Sequence, residues 1–285
     1  MHAATGSSVS PWASDAPRLD GIRRLPRQLT VGHRPLPDFL VIGAQRSGTT
    51  TLYDLLVQHP DVRAARTKEV HYFDLHHDRG PAWYRSNFPL HMGSGDRPWL
   101  TGEASPLYLF HPLAAARAAA EVPDARLLAV LRNPVDRAFS HYQHERAKGR
   151  EPLSFADAVD QELARTASGW RRAVSGAPAT DRALRSYSYV ARGHYAEQLA
   201  RWLGVFAADQ LLVVRAEDLF TDPATQIKKV FDHLDLPSFP GLECRHLNER
   251  TYSPMDPSLR RSLALRYAES NQELYALIGR DLDWQ

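Results

Sequence analysis

The sequence predicts a single α/β domain built on a parallel sheet. Three observations carry this. Residues 38–43, DFLVIG, are a short apolar, β-branched run ending in glycine, the pattern of a strand buried on both faces. A Gly-containing turn and an apolar-periodic helix follow, and the same strand–turn–helix order returns at Arg126. A chain of 285 residues, 43% hydrophobic and 24% charged, also suffices for one large core.

Residues 1–36 are rich in Pro, Ser, Ala and Arg and lack apolar periodicity, so they read as a flexible basic N-terminal arm. Its Arg18, Arg23, Arg24, Arg27 and Arg34 suit an anionic partner or a membrane surface, or simply a solvated tail. The globular domain covers residues 37–285. After the first strand comes a helix over 49–59, stopped by Pro60. Arg126–Leu131 is a second buried strand, followed by a helix over about 135–148. Leu211–Arg215 is a third strand. Helical patterns occupy 155–166, 194–205, 224–234 and 259–278. Residues 169–193 hold five Arg and one acidic residue, Asp181, and read as a mobile loop. It would close over a donor, receive an anionic acceptor, or stay solvated.

Composition excludes several classes. A net charge of +2 is no nucleic-acid coat, although 31 of the basic residues are Arg and 4 are Lys. Arg presents a planar fork suited to phosphate, sulfate or carboxylate. The longest apolar runs, 127–131 and 211–214, fall far short of a bilayer span. The N-terminus lacks a basic start followed by an apolar stretch, so no secretory signal is expected. A lone cysteine, Cys244, allows neither an intrachain disulfide nor a thiolate-rich metal site. Together these favour the cytoplasm.

Two constellations carry chemistry. Gly43-Ala-Gln-Arg-Ser-Gly-Thr-Thr50 sits between the first strand and its helix, where successive backbone N–H groups form an anion cradle. Its spacing matches a nucleotide-phosphate loop, except that Thr49 stands at the lysine position. The cation is Arg46 instead, and no apolar run ending in Asp supplies a magnesium ligand. The loop therefore suits an anion but not ATP hydrolysis. The second constellation is RLLAVLRNPVDRAFS. Arg132 lies at a strand's C-terminal end, where open α/β sheets bind ligands, and Pro134 suits a helix start. Arg137 and Ser140, three apart on that helix, share a face and could hold a second phosphate with Arg132.

These segments resemble the PAPS-dependent sulfotransferases. GAQRSGTT is similar to their 5′-phosphosulfate loop and LLAVLRNPVDRAFSHYQH to their 3′-phosphate block. KEVHYFD at 68–74 and GEASPLY at 102–108 resemble two segments of the glycan N- and 3-O-sulfotransferase branch. RGHYAEQLARWL and LLVVRAEDLFTDP resemble that family's later helix and strand, so the likeness covers roughly 37–285. It implies a doubly wound parallel sheet and transfer of a sulfuryl group from 3′-phosphoadenosine-5′-phosphosulfate (PAPS) to a hydroxyl or amine, with no metal. It implies donor contacts from Gln45, Arg46, Ser47, Gly48, Thr49, Thr50, Arg132 and Ser140.

In the resembled branch the Glu of the third motif is the general base, here Glu69. His71 would lie on the same side of an extended segment and orient Glu69 or the acceptor, or be the base itself. Asp74, Glu103, Arg137 and His71 are the expected acceptor contacts. Three departures stand out. The branch's lysine after the Glu of the fourth motif is Ala104, leaving Arg46 or Lys68 to compensate. Of its C-terminal KGR turn only Arg250 matches, with Thr251 as a hydroxyl donor. The two-cysteine feature of the animal enzymes is missing, and the ending GRDLDW is typical of bacterial members. The resemblance favours a carbohydrate acceptor, with a phenolic or other natural-product hydroxyl as the alternative. A P-loop kinase and an inactive nucleotide-binding module are the competing readings. Oligomeric state is not legible.

Overall fold

The computed structural model describes residues 27–91, 98–177, 181–243 and 254–284. The chain runs β1 (Phe39–Gly43), α1 (Thr49–Leu56), β2 (Val62–Ala64), α2 (Gly80–Arg85), β3 (Leu100–Ala104), α3 (Ala114–Glu121), β4 (Arg126–Leu131) and α4 (Pro134–Ala147). It continues through α5 (Phe155–Asp160), α6 (Glu162–Val174), α7 (Arg182–Tyr187), α8 (Tyr195–Leu203) and β5 (Leu211–Arg215). Then follow α9 (Ala216–Thr221), α10 (Pro223–His233) and α11 (Pro257–Ile278).

The five strands are parallel in the order β2-β3-β1-β4-β5. Alternation along β1 builds two cores. Phe39 and Val41 face one side, with Leu52, Leu56, Val230 and Phe231. Leu40 and Ile42 face the other, with Leu199, Trp202 and Leu274. This is the doubly wound α/β domain the sequence implies. From β1 the chain crosses towards β2, and from β4 it crosses the opposite way to β5. The C-terminal ends of β1 and β4 therefore flank the topological switch point, the place where open α/β sheets bind ligands.

β2 and β3 carry no strand signal in the sequence. β2 is three residues long, and β3 is LTGEA, with glycine at its centre. Gly102 lies opposite Phe39, and a Cβ there would sit 2.5 Å from the Phe39 ring and carbonyl. Only glycine lets these strands approach so closely.

Two expectations change. Residues 27–36, assigned to the flexible arm, pack on the fold. Arg27 donates from Nε and Nη2 to the Ser86 and Phe88 carbonyls at 2.6 Å each, and Arg34, 7% exposed, donates to Phe88 at 2.6 Å. Arg18, Arg23 and Arg24 lie outside the described residues. Residues 169–193 are mostly not a loop: α6 runs through Val174, and α7 starts on an Asp181 cap. Gly169 is the reason the two helices touch, since a Cβ there would lie 2.7 Å from Asp181. Among the described residues no helix is long and apolar enough to cross a membrane.

Candidate active site

The loop after β1 delivers Arg46 in the left-handed region, φ 68°. Ser47 and Thr49 are buried beneath it, and the Ser47 hydroxyl lies beside that of Tyr195. Gly48, at φ 97°, ends the turn, and α1 begins directly behind it. The first-turn N–H groups of a helix have no intrahelical acceptor, so this end presents donors and positive potential. The buried hydroxyl side chains of Ser47 and Thr49 beside them suit an anionic group.

The loop after β4 meets it. Asn133 caps α4 by accepting from the Val135 and Asp136 amides, with Pro134 next, so the helix starts sharply. Arg46 Nε donates to Ser140 Oγ at 3.1 Å, and Arg132 Nη1 lies 3.4 Å from the Arg46 carbonyl. The two sequence constellations are thus one cluster at the switch point. Tyr195 steadies it by donating to the Arg132 carbonyl at 2.9 Å.

Arg137 does not join this cluster. The guanidinium is fully buried and donates to the Tyr189 carbonyl, so it offers no surface to a substrate. One turn of α4 carries Arg137 inward and Ser140 towards Arg46. Arg250 and Thr251 lie outside the described residues.

Beside β3, residues 68–74 are not the extended segment expected: the backbone is irregular at 69–71 and enters a turn at 72–75. Glu69 and His71 both take left-handed backbones, φ 63° and 55°. Glu69 N–H donates to the Ala104 carbonyl at 3.0 Å, and His71 N–H donates to Ser105 Oγ at 3.0 Å. The side chains still converge. Glu69 Oε2 lies 3.2 Å from His71 Nε2, and Lys68 Nζ lies 2.9 Å from Glu69 Oε1. Asp74 Oδ2 lies 2.8 Å from His71 Nδ1, while Oδ1 accepts from the Leu75 amide at 2.7 Å.

Exposure sorts these roles. The Glu69 side chain is 45% exposed, that of His71 20% and that of Asp74 0%. Asp74, expected to contact acceptor, is sealed behind His71 and orients its ring. Burial would raise the Glu69 carboxyl, but the Lys68 charge and the His71 hydrogen bond outweigh it and hold it well below the carboxylate range. Burial opposes a charged His71, yet Asp74 and then Glu69 carry its pKa up to about 10. Of these three side chains Glu69 is the most open to solvent.

Glu103, also expected to contact substrate, is fully enclosed. Its oxygens accept from Ser105 at 2.6 Å, Tyr108 at 2.8 Å and Tyr84 at 2.9 Å. Burial pushes its carboxyl above the ordinary value, against those donors. Ala104, where the resembled branch has lysine, is buried, and Lys68 is the cation at this end of β3.

Sequence reasoning missed Arg192. It is 3% exposed and donates to Gln45 Oε1 in the phosphate loop, and to the Arg185 carbonyl at 2.9 Å. Burial and then the Arg137 charge lower its pKa to about 9. It ties the phosphate loop to the end of α7. Its sequence signal is that it opens the RGHYAEQLARWL motif at 192–203.

The fold and site define a P-loop α/β protein whose helix N-terminus, Arg46 and Arg132 meet at one switch point. Residues 36–256 match the sulfotransferase domain family model. Over 272 residues the chain is 33% identical to human bifunctional heparan sulfate N-deacetylase/N-sulfotransferase 3, covering 85% of this chain and 30% of that protein. To human heparan sulfate glucosamine 3-O-sulfotransferase 3A1 it is 30% identical, covering 90% and 64%. To human heparan sulfate glucosamine 3-O-sulfotransferase 6 it is 32% identical, covering 93% and 78%. The chain thus spans under two thirds of the length of the first two relatives. A sulfotransferase from Alicyclobacillus acidocaldarius has a similar structure, with TM-score 0.67 and 31% identity over 86% of this chain and 97% of that one. The chain belongs to the sulfotransferase family.

Proposed function

We propose that this enzyme transfers the sulfuryl group of PAPS to a hydroxyl or amine of a carbohydrate or sugar-containing acceptor. The observation that carries the reading is the Arg46–Ser140 contact at 3.1 Å with Arg132 alongside, which brings the two anion-ready loops together at one crevice. PAPS carries one anionic group for each. Backbone N–H groups at the start of α1 and the Arg46 guanidinium would take up charge on the leaving 5′-phosphate. Arg132 and Ser140 would hold the 3′-phosphate. The similarity to heparan sulfate sulfotransferases supports the carbohydrate acceptor.

In the reaction an acceptor oxygen or nitrogen forms a bond to sulfur while the bond from sulfur to the phosphate oxygen breaks. Glu69 receives the acceptor proton, and 3′-phosphoadenosine-5′-phosphate leaves. Imidazolium His71, held by Asp74, fixes the orientation of Glu69. Lys68 stands in for the lysine replaced by Ala104: an anionic sulfuryl group draws Lys68 Nζ off Glu69 and restores basicity to the carboxylate.

The test is transfer of labelled sulfate from PAPS to a panel of oligosaccharides. Glu69→Gln is expected to lower turnover about a hundredfold or more while keeping donor affinity. Near-normal turnover in that variant removes Glu69 from the role.

A further inference from the structure

Glu103 touches neither the crevice nor any group in the reaction above, yet it is fully buried on β3 directly under the Glu69–His71 turn. Glu103 Oε2 accepts from the Ser105 hydroxyl, and Oε1 accepts from the hydroxyls of Tyr108 and Tyr84. A hydroxyl whose proton is so committed offers only lone pairs on its other side. Ser105 Oγ accepts from His71 N–H at 3.0 Å. Tyr108 Oη accepts from Tyr72 N–H at 2.8 Å and from Phe73 N–H at 3.4 Å. One carboxylate is thus linked, through two hydroxyls, to three successive backbone amides.

Those amides belong to a strained backbone. A left-handed non-glycine residue is strained and persists only where its surroundings over-determine it. Glu69 and His71 are two such residues with one between them. The strain brings Glu69 Oε2 within 3.2 Å of His71 Nε2.

We propose that Glu103, Ser105 and Tyr108 are positioning residues: a buried template that anchors the His71, Tyr72 and Phe73 amides, keeps Glu69 and His71 in their left-handed conformations and so aims both side chains at the switch point. The proposal rests on the reading of Glu69 and His71 as the proton-handling pair. Tyr84 provides an internal control. It donates to the same carboxylate and stacks on Tyr72 at 4.3 Å between ring centroids, but no hydrogen bond joins its hydroxyl to the turn amides.

The test is the NMR titration of the His71 ring in the full chain, its signal assigned by its loss in His71→Gln. The groups facing this ring are Glu69, Asp74 and, through charge, His76 and Glu103. Wild type and Tyr84→Phe are expected to keep the ring protonated to about pH 10. In Ser105→Ala the ring is expected to hold its proton at least about tenfold more weakly. Affinity for 3′-phosphoadenosine-5′-phosphate should stay within about twofold, because the donor loops are untouched. Should Ser105→Ala not fold, Tyr108→Phe gives the same comparison. An unchanged His71 titration overturns the proposal, as does an equal change in Tyr84→Phe, which would reduce the network to general stability. Absence of bisphosphate binding in wild type would overturn the sulfotransferase reading instead and leave this result standing.

Discussion

Between Lys68, Glu69, His71 and Asp74, two cations and two anions alternate, and only Glu69 is half open to solvent. Chemistry at this scale was largely legible: the motif carries Glu69, and the glycine-flanked loop carries Arg46. The direction of each side chain was not. Asp74, Glu103 and Arg137 are polar residues in the resembled motifs, and all three are buried: Arg137 by helix phase, Glu103 by its place on β3, and Asp74 behind His71. A pH dependence follows. The folded-state pKa of His71 is raised, so its contribution to stability is complete below the ordinary value near 6.5. It is lost progressively as pH rises to about 10. Glu69 is depressed, so its contribution is present above the ordinary carboxylate value and lost only as pH falls through the depressed one. The stability difference between wild type and His71→Gln, read by thermal unfolding, is expected to shrink from about pH 6.5 to about pH 10. A constant or growing difference would contradict the ring's protonated state.

The strand–turn–helix units set the donor side. β1 with α1 and β4 with α4 were readable because apolar runs, Gly48, Asn133 and Pro134 are strong punctuation. β2 and β3 were not, because a three-residue edge and a Thr-Gly-Glu strand take their form from neighbours. β3 proves as important as β1, since its end carries Ala104 and Ser105, on which the Glu69–His71 turn rests. Gly48 tests the donor side. It has φ 97°, and a Cβ there would lie 2.8 Å from the Phe220 ring. Gly48→Ala is expected to cost about 1–2 kcal/mol in unfolding free energy from the backbone alone. It should also weaken bisphosphate binding, because the loop must open to make room. Wild-type stability and affinity in Gly48→Ala would show that the loop does not need this geometry.

For the whole molecule, the strand order decides where the chemistry gathers. Because β1 and β4 send their connections opposite ways, one crevice receives both anion loops, while neighbouring β3 brings the carboxylate turn beside β1. The sequence showed the pieces in order; their convergence comes from a topology that periodicity does not encode. The 27–36 segment was missed for a related reason. Its contacts run from arginine to the carbonyls of Ser86 and Phe88, and composition shows only the charge. The most direct measurement is calorimetric titration of the full chain with 3′-phosphoadenosine-5′-phosphate, beside ATP with Mg²⁺. Charge-assisted hydrogen bonds contribute roughly 1.5–3 kcal/mol each. Tight bisphosphate binding is expected, about tenfold to a hundredfold weaker in Arg46→Ala and in Arg132→Ala, and unmatched by ATP. Folded protein that ignores the bisphosphate, or binds ATP as well as it, would contradict a PAPS site at the β1–β4 switch point.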